Sequence, residues 1–437
     1  MGLFVPEAVR EAASEVAWLQ AMLDMEAALA AAEAEAGLIP SDAAKAIAAA
    51  CDAGSFDPEA IAREGRSSGN PVVPLVAALR SKLDDEAAGF VHHGATSQDV
   101  LDTAGMLVAS RTLELIDADL NAVAAACARL AKEHRGTLMA GRTLLQQALP
   151  TTLGLKAAGW LDSVVSARER LGSVSLAVQL GGAAGTLATL GSEGEGVVAL
   201  LAKRLGLDEP AVPWHTARLR VADLGSSLAL TAGALEKIAL DLVLLSQTEV
   251  GEVAESSAGG RGGSSTLPHK RNPVGSVLTI ACARRVRGAA GVLLEAMAQE
   301  HERAAGAWQS EWAPLGEALA LTGGAASSLG DALDGLEVRA DRMRENLEAT
   351  GGVLMAESVV TALAERVGQR RARELVDGAV GRALDAGGSL RDELISDEAV
   401  SSELSEQEID RVLDPAGYLG SADSFIDRAL SRYGEGS

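Results

Sequence analysis

Cysteine, aromatic residues and long hydrophobic runs are scarce in this chain of 437 residues. The three cysteines, Cys51, Cys127 and Cys282, are widely spaced and form no CxxC pair, which argues against a disulfide scaffold and favours the reducing cytoplasm. No apolar run reaches the about 18 residues of an ordinary transmembrane helix, and the N-terminus lacks the basic segment and apolar core of a signal peptide. We therefore expect a cytoplasmic protein without a membrane partner.

Positive charge is also in short supply, because 38 Lys and Arg face 61 Asp and Glu for a net charge of −23. A nucleic-acid backbone or an anionic membrane has to be met by clustered Lys and Arg, so this balance argues against both partners. Hydrophobic residues make up 48% of the chain and charges of both signs are interspersed, which argues against a disordered protein.

The alternation of Val, Ile, Thr and aromatic residues that builds strands is scarce, whereas Ala and Leu dominate. Two segments instead repeat apolar residues at alternating spacings of three and four. They comprise Met106, Ala109, Leu113, Ile116, Leu120, Val123, Cys127 and Leu130, and then Leu224, Leu228, Thr231, Leu235, Ile238, Leu242, Leu245 and Glu249. A sustained apolar period of about 3.5 residues predicts long helices that pack in a bundle, the first from near Asp99 to His134. The predicted fold class is therefore all-α.

The long helices divide the chain into three predicted regions. Residues 1–103 form an N-terminal helical domain with an amphipathic helix from Glu11 to Ala36, residues 104–350 form the central long-helix bundle, and residues 351–437 form a C-terminal helical domain. Glycine-rich breaks interrupt the helices at Gly136–Gly141, Gly181–Gly185 and Gly259–Gly263. Helices this long need partners to bury their apolar stripes, so we also expect several subunits to associate.

The most informative segment runs from Ala258 to Pro273 and reads Ala-Gly-Gly-Arg-Gly-Gly-Ser-Ser-Thr-Leu-Pro-His-Lys-Arg-Asn-Pro. Glycines let the backbone approach a ligand closely, and the serines Ser264 and Ser265 are followed by three consecutive basic or imidazole residues. Asn272 and Pro273 then begin a predicted helix. A loop that brings hydroxyls and cations to a helix N-terminus suits an anionic substrate, and the alternative is a mobile linker between helices.

A second segment places two histidines, His92 and His93, directly before a long predicted helix. Thr96 and Ser97 stand where this helix begins, with Asp99 in its first turn, and helix capping alone would explain these three residues. Helix capping does not explain the two histidines. The N-terminus of this helix is therefore a second predicted anion site.

A third segment, Gly141–Thr152, interrupts an apolar stretch with Arg142, Gln146 and Gln147, and Pro150 is predicted to begin the helix that follows. Buried glutamines usually satisfy backbone groups, so this segment alone says little about function. The segment becomes informative because it lies along the chain between the other two segments.

Together the three segments resemble the conserved regions of the fumarase/aspartase superfamily. Gly263–Pro273 is similar to the superfamily signature, with Leu267 where Met is usual, and the other segments are similar to its threonine-serine and middle regions in the same order. Leu413–Asp427 also resembles the closing helices of the cycloisomerase and adenylosuccinate lyase branch. The resemblance covers nearly the whole chain and implies a mostly helical homotetramer whose central helices form the tetramer core. It also implies active sites shared between subunits, with no metal and no cofactor.

The resemblance gives roles to individual residues, carried over position by position. The catalytic candidates are Ser264, which matches the residue that transfers the proton in family lyases, together with Lys270 and His92. The substrate-binding candidates are Thr96, Ser97, Arg142, Gln146, Asn272, Ser265, Arg218, His215 and Asn70.

Simpler interpretations stand beside some polar residues. His215 has no partner visible in the sequence, which favours a histidine in a surface loop, and Asn70 in Gly-Asn-Pro fits a turn equally well. Glu249 falls on the predicted helix seam and Glu252 follows it by three residues. A structural ion pair with an Arg of another helix explains such carboxylates better than a catalytic role.

One departure from the family pattern indicates the type of reaction. Adenylosuccinate lyase, argininosuccinate lyase and fumarase typically carry Gly-Arg-Thr-His, where the His supports the general acid, whereas this chain has Leu144 in place of that His. An amine or hydroxide leaving group needs a proton, but a carboxylate leaves without one because its pKa is low. The resemblance therefore implies the cycloisomerase branch, which lactonises the small tricarboxylate 3-carboxy-cis,cis-muconate to 4-carboxymuconolactone in protocatechuate catabolism.

Two other functions remain open. Leu144 argues against a lyase that eliminates fumarate from an adenylosuccinate- or argininosuccinate-like substrate. The intact set of Ser264, Lys270 and Asn272 argues against a non-catalytic scaffold such as the lens crystallins of this superfamily.

The segment from Trp214 to Arg220 leaves the specificity open. It reads Trp-His-Thr-Ala-Arg-Leu-Arg where the family has Trp-His-Thr-Gln-Arg-Asp-Arg, so Ala217 and Leu219 replace two polar side chains. If the family's polar side chains at these two positions contact the substrate, then the substrate specificity of this chain differs from that of the family.

Overall fold

The computed structural model describes residues 2–257, 262–263, 266–267 and 270–435. The chain folds into two compact units, each built from several stretches of sequence. The first unit comprises Met1–Leu120, Ala167–Glu236 and Leu278–Leu329, and the second comprises Asn121–Ser166, Lys237–Val277 and Gly330–Ser437. The division into residues 1–103, 104–350 and 351–437 remains a prediction.

Helices dominate the described part of the chain, which confirms the all-α prediction. The helices are α1 (Glu7–Ala12), α2 (Glu15–Glu35), α3 (Ser41–Ala50), α4 (Pro58–Gly65), α5 (Val72–Arg80), α6 (Asp85–Ala88), α7 (Ser97–Glu133), α8 (Leu153–Gly172), α9 (Gly194–Leu205), α10 (Leu219–Leu245), α11 (Val274–Glu295), α12 (Ala307–Asp334), α13 (Ala340–Glu348), α14 (Ala356–Val367), α15 (Gln369–Ala386), α16 (Leu390–Ser396), α17 (Glu398–Ser401), α18 (Glu406–Leu413) and α19 (Ala422–Glu435). The strands are β1 (Leu138–Thr143), β2 (Gln146–Thr152), β3 (Val253–Ala254) and β4 (Glu337–Val338).

The two longest predicted helices are present as α7 and α10. α7 runs over Ser97–Glu133, close to the predicted range, and its predicted seam is buried except for the half-buried Leu113. The α10 seam is buried from Leu224 to Leu245. Because α10 ends at Leu245, Glu249 lies beyond the helix, and its predicted place on the seam is wrong.

The N-terminal helix of the first unit is broken where the sequence predicts a single helix. α1 ends at Ala12 and α2 begins at Glu15, and between them Ser14 Oγ accepts a hydrogen bond from the Ala17 amide at 3.2 Å. Serine is a favoured N-cap residue because its hydroxyl satisfies one of the free amides of the first turn. α2 then packs against α3 and α9.

A β-hairpin in the second unit is the main departure from the helical prediction. β1 and β2 pair antiparallel, and Pro150 lies within β2 opposite Ala140. The prediction that Pro150 begins a helix is therefore wrong. α8 begins at Leu153, where Thr152 Oγ1 accepts from the Leu155 amide at 3.0 Å. Proline fits a two-stranded ribbon because each strand has an unpaired edge that needs no amide.

The C-terminal helices of the second unit enclose a core of their own. Its buried residues include Val359, Val360, Leu363, Leu375, Val376, Leu390, Leu394, Val400, Leu404 and Ile409, from α14 to α18. Burial of these aliphatic side chains holds α14, α15, α16 and α18 together.

No single helix in the described part of the chain is long and apolar enough to span a membrane. The bent pair Ala340–Glu348 and Val353–Val367 passes that test jointly, by length and composition alone.

Candidate active site

Thr96 and Ser97 stand at the start of α7, as the sequence predicts. The Thr96 amide donates to Asp99 Oδ2 at 2.9 Å, and Thr96 Oγ1 accepts from Arg303 Nη1 at 2.7 Å. Within the described residues, the backbone amides of Ser97 and Gln98 have no hydrogen-bond acceptor. The first turn of this 37-residue helix therefore offers amides, hydroxyls and a guanidinium to an anion.

Arg303 is a candidate that the sequence motifs miss. It lies between α11 and α12, and its Nη2 donates to the carbonyls of Gly182 at 3.4 Å and Ala183 at 3.2 Å. Among the described residues no carboxylate lies within ion-pair distance of this half-buried guanidinium. Its partners among the described residues are neutral oxygens. The surrounding Glu-His-Glu-Arg sequence gives no signal of this role, because the contact with Thr96 spans 207 residues of the chain.

His215 is buried and paired with an acid, so the interpretation as a surface-loop histidine is wrong. Its Nε2 lies 2.7 Å from Asp99 Oδ1, and the side chain is only 4% exposed. Gln98 Nε2 donates to the His215 carbonyl at 2.7 Å. A sequence cannot reveal this partner, since 116 residues separate Asp99 from His215.

Two buried glutamates of α2 face the two histidines that precede α7. Glu26 Oε1 lies 2.6 Å from His92 Nδ1, and Glu33 Oε1 lies 3.1 Å from His93 Nδ1. Burial would lower the pKa of His92, but the hydrogen bond and charge of Glu26 and the charge of Asp99 outweigh it and raise that pKa above its ordinary value. Burial and the neighbouring Glu26 raise the pKa of Glu33 to about 8. His92 therefore keeps its positive charge to a higher pH beside the start of α7.

Arg218, a predicted substrate-binding residue, lies in a buried cluster with two acids. Its Nη1 donates to Asp102 Oδ2 at 2.7 Å and its Nη2 to Glu311 Oε2 at 2.5 Å, while Nε donates to both Glu311 oxygens at 3.1 Å. Trp308 Nε1 also donates to Asp102 Oδ1 at 3.0 Å. The guanidinium stacks 4.9 Å from the Trp214 ring centroid. Most donors of Arg218 are thus used within the protein, and its contact with substrate remains a prediction.

The Asn70 side chain is used in a local turn. Its Oδ1 accepts from the Val72 amide at 3.0 Å, and its Nδ2 donates to the Ser68 carbonyl at 3.3 Å. These bonds fix the start of α5. They agree with the turn interpretation, and the predicted contact of Asn70 with a carboxylate stays a prediction.

Arg142 forms an ion pair with a buried carboxylate in the second unit. Its Nη1 and Nη2 donate to the two oxygens of Glu252 at 3.0 and 2.6 Å, and Asn346 Nδ2 donates to Glu252 Oε1 at 2.8 Å. A structural ion pair for Glu252 is what the sequence favours, although the arginine lies on β1 and not on a helix. Gln147 Nε2 donates to the Asn346 carbonyl at 2.9 Å, whereas Gln146 is exposed at the hairpin tip.

Leu144, which stands at the family's histidine position, occupies the tip of the hairpin. Thr143 pairs with Gln146, so Leu144 and Leu145 form a two-residue turn in which both φ angles are positive, 51° and 65°. This is the pattern of the type I′ turn, which favours Asn-Gly because other residues are strained at positive φ. The two leucine side chains are 98% and 74% exposed. An apolar, strained and fully exposed tip is a feature that folding of the single chain does not require.

The signature loop is described only in part. The two predicted serines, Ser264 and Ser265, lie outside the described residues, as do residues 258–261 and 268–269. Gly263 forms an antiparallel bridge with Arg271, and the Asn272 amide and Nδ2 donate to the Gly262 carbonyl at 2.9 and 3.1 Å. Lys270 is exposed. Asn272 therefore joins the two ends of the loop.

The N-terminus of α11, which follows this loop, is already occupied. Glu255 accepts from the amides of Gly275 and Ser276 at 2.9 Å each and from Ser276 Oγ at 2.6 Å. The anion at this helix end is thus a carboxylate of the chain itself, and the binding of an anionic substrate by the loop stays a prediction. Arg271 adds a second tie, donating to the Glu255 carbonyl at 2.8 Å and to Glu337 at 2.7 Å.

The predicted site residues fall into two groups. The first unit holds His92, Thr96, Ser97, Asn70, His215 and Arg218, and the second unit holds Arg142, Gln146, Lys270 and Asn272. In the first group, Asp99 links Thr96 to His215. Within the described residues no group of three His, Cys, Asp or Glu side chains could hold a metal ion, and the absence of a metal or cofactor remains a prediction.

Comparison with known proteins agrees with this architecture over nearly the full chain. The lyase family profile matches residues 6–288, and the profile of the adenylosuccinate lyase C-terminus matches residues 352–429. The 3-carboxy-cis,cis-muconate cycloisomerase of Bradyrhizobium diazoefficiens is 47% identical over 97% of this chain and 95% of its own length. The nitrosuccinate lyase of Streptomyces davaonensis is also 47% identical, over 97% of this chain and 92% of its own.

The crystal structure of the 3-carboxy-cis,cis-muconate lactonizing enzyme from Pseudomonas putida superimposes with a TM-score of 0.95. It shares 46% identity and covers 99% of this chain and 98% of its own. Family profile, full-length identity and fold agree with the three motif regions. The chain therefore belongs to the lyase family of the fumarase/aspartase superfamily.

Proposed function

We propose that the protein is a cycloisomerase that closes 3-carboxy-cis,cis-muconate to 4-carboxymuconolactone. The observation that carries the proposal is the apolar, 98% exposed Leu144 at the position where ordinary lyases of the superfamily carry histidine. A reaction in which a carboxylate is the nucleophile, or in reverse the leaving group, needs no proton donor there. The full-length similarity to enzymes named for this reaction supports the same assignment.

The start of α7 is suited to hold one carboxylate of a tricarboxylate substrate. The Ser97 amide and the hydroxyls of Thr96 and Ser97 are the donors, and Arg303 supplies a charge that no carboxylate of the described residues neutralises. His92 adds positive charge because its pKa is raised. In a chain of net charge −23, such a local cationic focus would concentrate an anionic substrate.

The chemical step follows from these roles. An oxygen of one substrate carboxylate attacks an alkene carbon, the C–O bond forms, and the π electrons move to the neighbouring carbon as an aci-carboxylate. The Ser264 hydroxyl then gives its proton to that carbon, while Lys270 and Asn272 stabilise the negative charge. No bond to an amine or hydroxide breaks, so the reaction needs no proton donor at the position of Leu144.

A second candidate function comes from the nitrosuccinate lyase, which is as similar as the cycloisomerase. A lyase acting on nitrosuccinate would expel nitrite, a weak base that also leaves without a proton. Leu144 therefore fits both reactions, although it disfavours elimination of fumarate from an adenylosuccinate-like substrate. Ala217 and Leu219, which replace polar family residues, are the positions where the two specificities would differ.

We propose further that the protein is a cytoplasmic homotetramer whose active sites are shared between subunits. Large apolar side chains are exposed along two long helices: Leu219, Leu230 and Leu240 on α10, and Val277, Val292 and Leu294 on α11. Exposed apolar stripes on bundle helices are what a subunit interface covers.

The test is the loss of diene absorbance when purified protein meets 3-carboxy-cis,cis-muconate. We expect rapid loss by the wild type, and a rate at least about 10³-fold lower for Ser264→Ala. Ser265→Ala is the matched variant and should cost about 10-fold at most. Equal rates for wild type and Ser264→Ala would keep the reaction but move the proton to another group.

Nitrosuccinate is the competing substrate in the same experiment, with release of nitrite as the measurement. Nitrite release without any loss of muconate absorbance would replace the first proposal by the second. Inactivity with both substrates, from a folded protein, would overturn both and favour a non-catalytic role.

A further inference from the structure

Arg303 is carried by a loop that has little regular structure of its own. Residues 296–306, here called the Arg303 loop, join α11 to α12. His301 and Gly306 in this loop have positive φ angles of 49° and 117°, and a residue with a side chain, such as His301, is strained in this region. A strained conformation persists only where its surroundings hold it, so the position of the Arg303 guanidinium depends on the contacts that fix the loop.

Two of these contacts come from the segment Trp214–Arg220. The Thr216 hydroxyl donates to the His301 carbonyl at 2.9 Å, across 85 residues of sequence. The backbone of the next residue, Ala217, forms an antiparallel bridge with Ala298. The segment therefore holds the loop at two points, and one of them is the residue with the strained backbone.

A third contact holds the root of the loop. Gln299 Nε2 donates to Glu311 Oε1 at 3.0 Å and to the Ala296 carbonyl at 3.1 Å. The same Glu311 is bound by Arg218 of the segment. Three consecutive residues of the segment thus reach the loop, through a hydroxyl, a backbone bridge and a buried ion pair.

The folded shape of the loop also keeps one of its own acids from pairing with Arg303. Glu300 lies three positions before Arg303, but its Oε2 accepts from the Ala305 amide at 3.0 Å. Hydrogen bonds from backbone amides lower the pKa of Glu300, so this side chain stays ionised while it is bound to the loop itself. A carboxylate this close in sequence would be drawn to Arg303 if the loop relaxed, and the guanidinium would then be less available to an anion.

We propose that Thr216 is a positioning residue, which holds the Arg303 loop so that the Arg303 guanidinium faces the start of α7. The Trp214–Arg220 segment then influences substrate binding through Arg303, and this is the segment in which Ala217 and Leu219 depart from the family pattern. The ligand of Arg303, a substrate carboxylate, rests on the proposed function, whereas the support of the loop by Thr216 does not.

The hydroxyl contact is removed with little change of shape by Thr216→Val and kept by Thr216→Ser. Thr216→Val should raise KM about fivefold with kcat within about twofold, because a loosened Arg303 binds the carboxylate less well. Thr216→Ser should stay within about twofold of the wild-type KM. The matched control is Thr361→Val on α14, which removes an exposed hydroxyl that donates to the Glu357 carbonyl, also at 2.9 Å. Its KM should be that of the wild type.

A double-mutant cycle tells whether Thr216 acts through Arg303. We expect Thr216→Val to lower kcat/KM about fivefold in the wild type and less than about 1.5-fold in Arg303→Ala, because the residue that Thr216 positions is then absent. The same loss in both backgrounds would show that Thr216 acts independently of Arg303 and would overturn the inference. A wild-type KM for Thr216→Val would overturn it as well.

Hydrogen–deuterium exchange of the loop amides gives a readout that needs no substrate. Exchange in peptides that cover residues 296–306 should be at least about threefold faster in Thr216→Val than in the wild type, and unchanged in Thr216→Ser and Thr361→Val. Unchanged exchange in Thr216→Val would contradict the inference whatever the substrate. If the wild type acts on nitrosuccinate and not on the muconate, the proposed function fails, while the same cycle on nitrosuccinate still decides whether Thr216 acts through Arg303.

Discussion

Two helices begin directly after a predicted site motif, and their N-termini are used in opposite ways. At α11 the first-turn amides and Ser276 Oγ are bound by Glu255, a carboxylate from the same chain. At α7 the amides of Ser97 and Gln98 have no acceptor among the described residues. Both ends attract negative charge for the same physical reason, the free amides and dipole of a helix N-terminus. One end is therefore closed by the chain itself, and the other is the end where we expect a ligand.

The immediate neighbours of the two ends explain the difference. The cation beside α11 is Arg271, which is already paired with Glu337. The cation beside α7 is Arg303, which donates only to neutral oxygens in the described part of the chain. We therefore expect the α7 end, with its arginine unpaired among the described residues, to bind an anion, and the α11 end to act as a cap.

Removal of Arg303 should have the largest effect on this comparison. Arg303→Ala takes away the one charge at the α7 end that no carboxylate of the described residues neutralises, so we expect kcat/KM to fall about 100-fold, mostly through KM. Arg303→Lys should recover part of the loss, because it keeps the charge without the two-pronged geometry. The matched control is Arg220→Ala, which removes a guanidinium bound to Ser175. Wild-type kinetics for Arg303→Ala would show that the α7 end does not bind the substrate.

Removal of Glu255 tests the closed end. Glu255→Ala removes the carboxylate that accepts from the Gly275 and Ser276 amides, so the free energy of unfolding should fall by about 1–2 kcal/mol and kcat by about 10-fold, as the root of the signature loop loosens. Thermal unfolding and steady-state kinetics check both numbers. Glu337→Gln, which weakens the exposed pairs of Glu337 with Arg271 and Arg339, should change stability by less than about 1 kcal/mol. A larger loss for Glu337→Gln than for Glu255→Ala would contradict the assignment of the cap to Glu255.

Two serines, each in the first turn of its helix, give a pair to compare. Ser276→Ala deletes the 2.6 Å hydrogen bond to Glu255, so it should lower the free energy of unfolding by about 1 kcal/mol and leave KM unchanged. Ser97→Ala deletes a hydroxyl that has no hydrogen-bond partner among the described residues, so it should leave stability unchanged and raise KM about fivefold. The reverse pattern, with Ser97 affecting stability and Ser276 affecting KM, would exchange the roles of the two helix ends.

The pH dependence of KM should give the smallest effect. His92 carries its charge below its raised pKa and loses it as the pH rises through that value, so KM should increase by a few-fold across that range. Glu26→Gln removes the main cause of the raised pKa, and the increase should then begin at a lower pH. Stability follows the same sign: the contribution of His92 is complete below the ordinary value of 6.5 and is lost as the pH rises through the raised pKa. A KM profile that is identical in wild type and Glu26→Gln would exclude His92 from binding.

The sequence predicts the helical framework well and the site only in part. The seams of α7 and α10 are periodic over many residues, so their burial follows from spacing alone. The hairpin is missed because Gln-Gln-Ala-Leu-Pro-Thr-Thr carries no strand alternation, and its turn, Leu-Leu, is not a turn sequence. A local sequence pattern predicts a helix or strand when the residues of that element determine its structure. These strands are different, because β1 also packs against α13, which is distant in sequence.

The site partners escape prediction for a different reason. Asp99, Glu255 and Arg303 are single charged residues in a chain rich in charge, and each gains its meaning from a contact with a distant or differently folded segment. Only Asp99 carries a signal, since an acid in the first turn of a long helix is a known cap. The motifs thus locate the site, but the supports that orient its side chains emerge only from the fold.

The hairpin tip also bears on the stability of this chain. Replacing Leu144-Leu145 by Asn-Gly would relieve two residues at positive φ, each of which costs about 1–2 kcal/mol, and would remove two leucines from solvent. The turn is therefore less stable than this chain could make it, and we expect an Asn-Gly replacement to raise the free energy of unfolding. The same replacement removes both exposed leucines, so a change in activity that accompanies the gain in stability would assign them a role beyond folding.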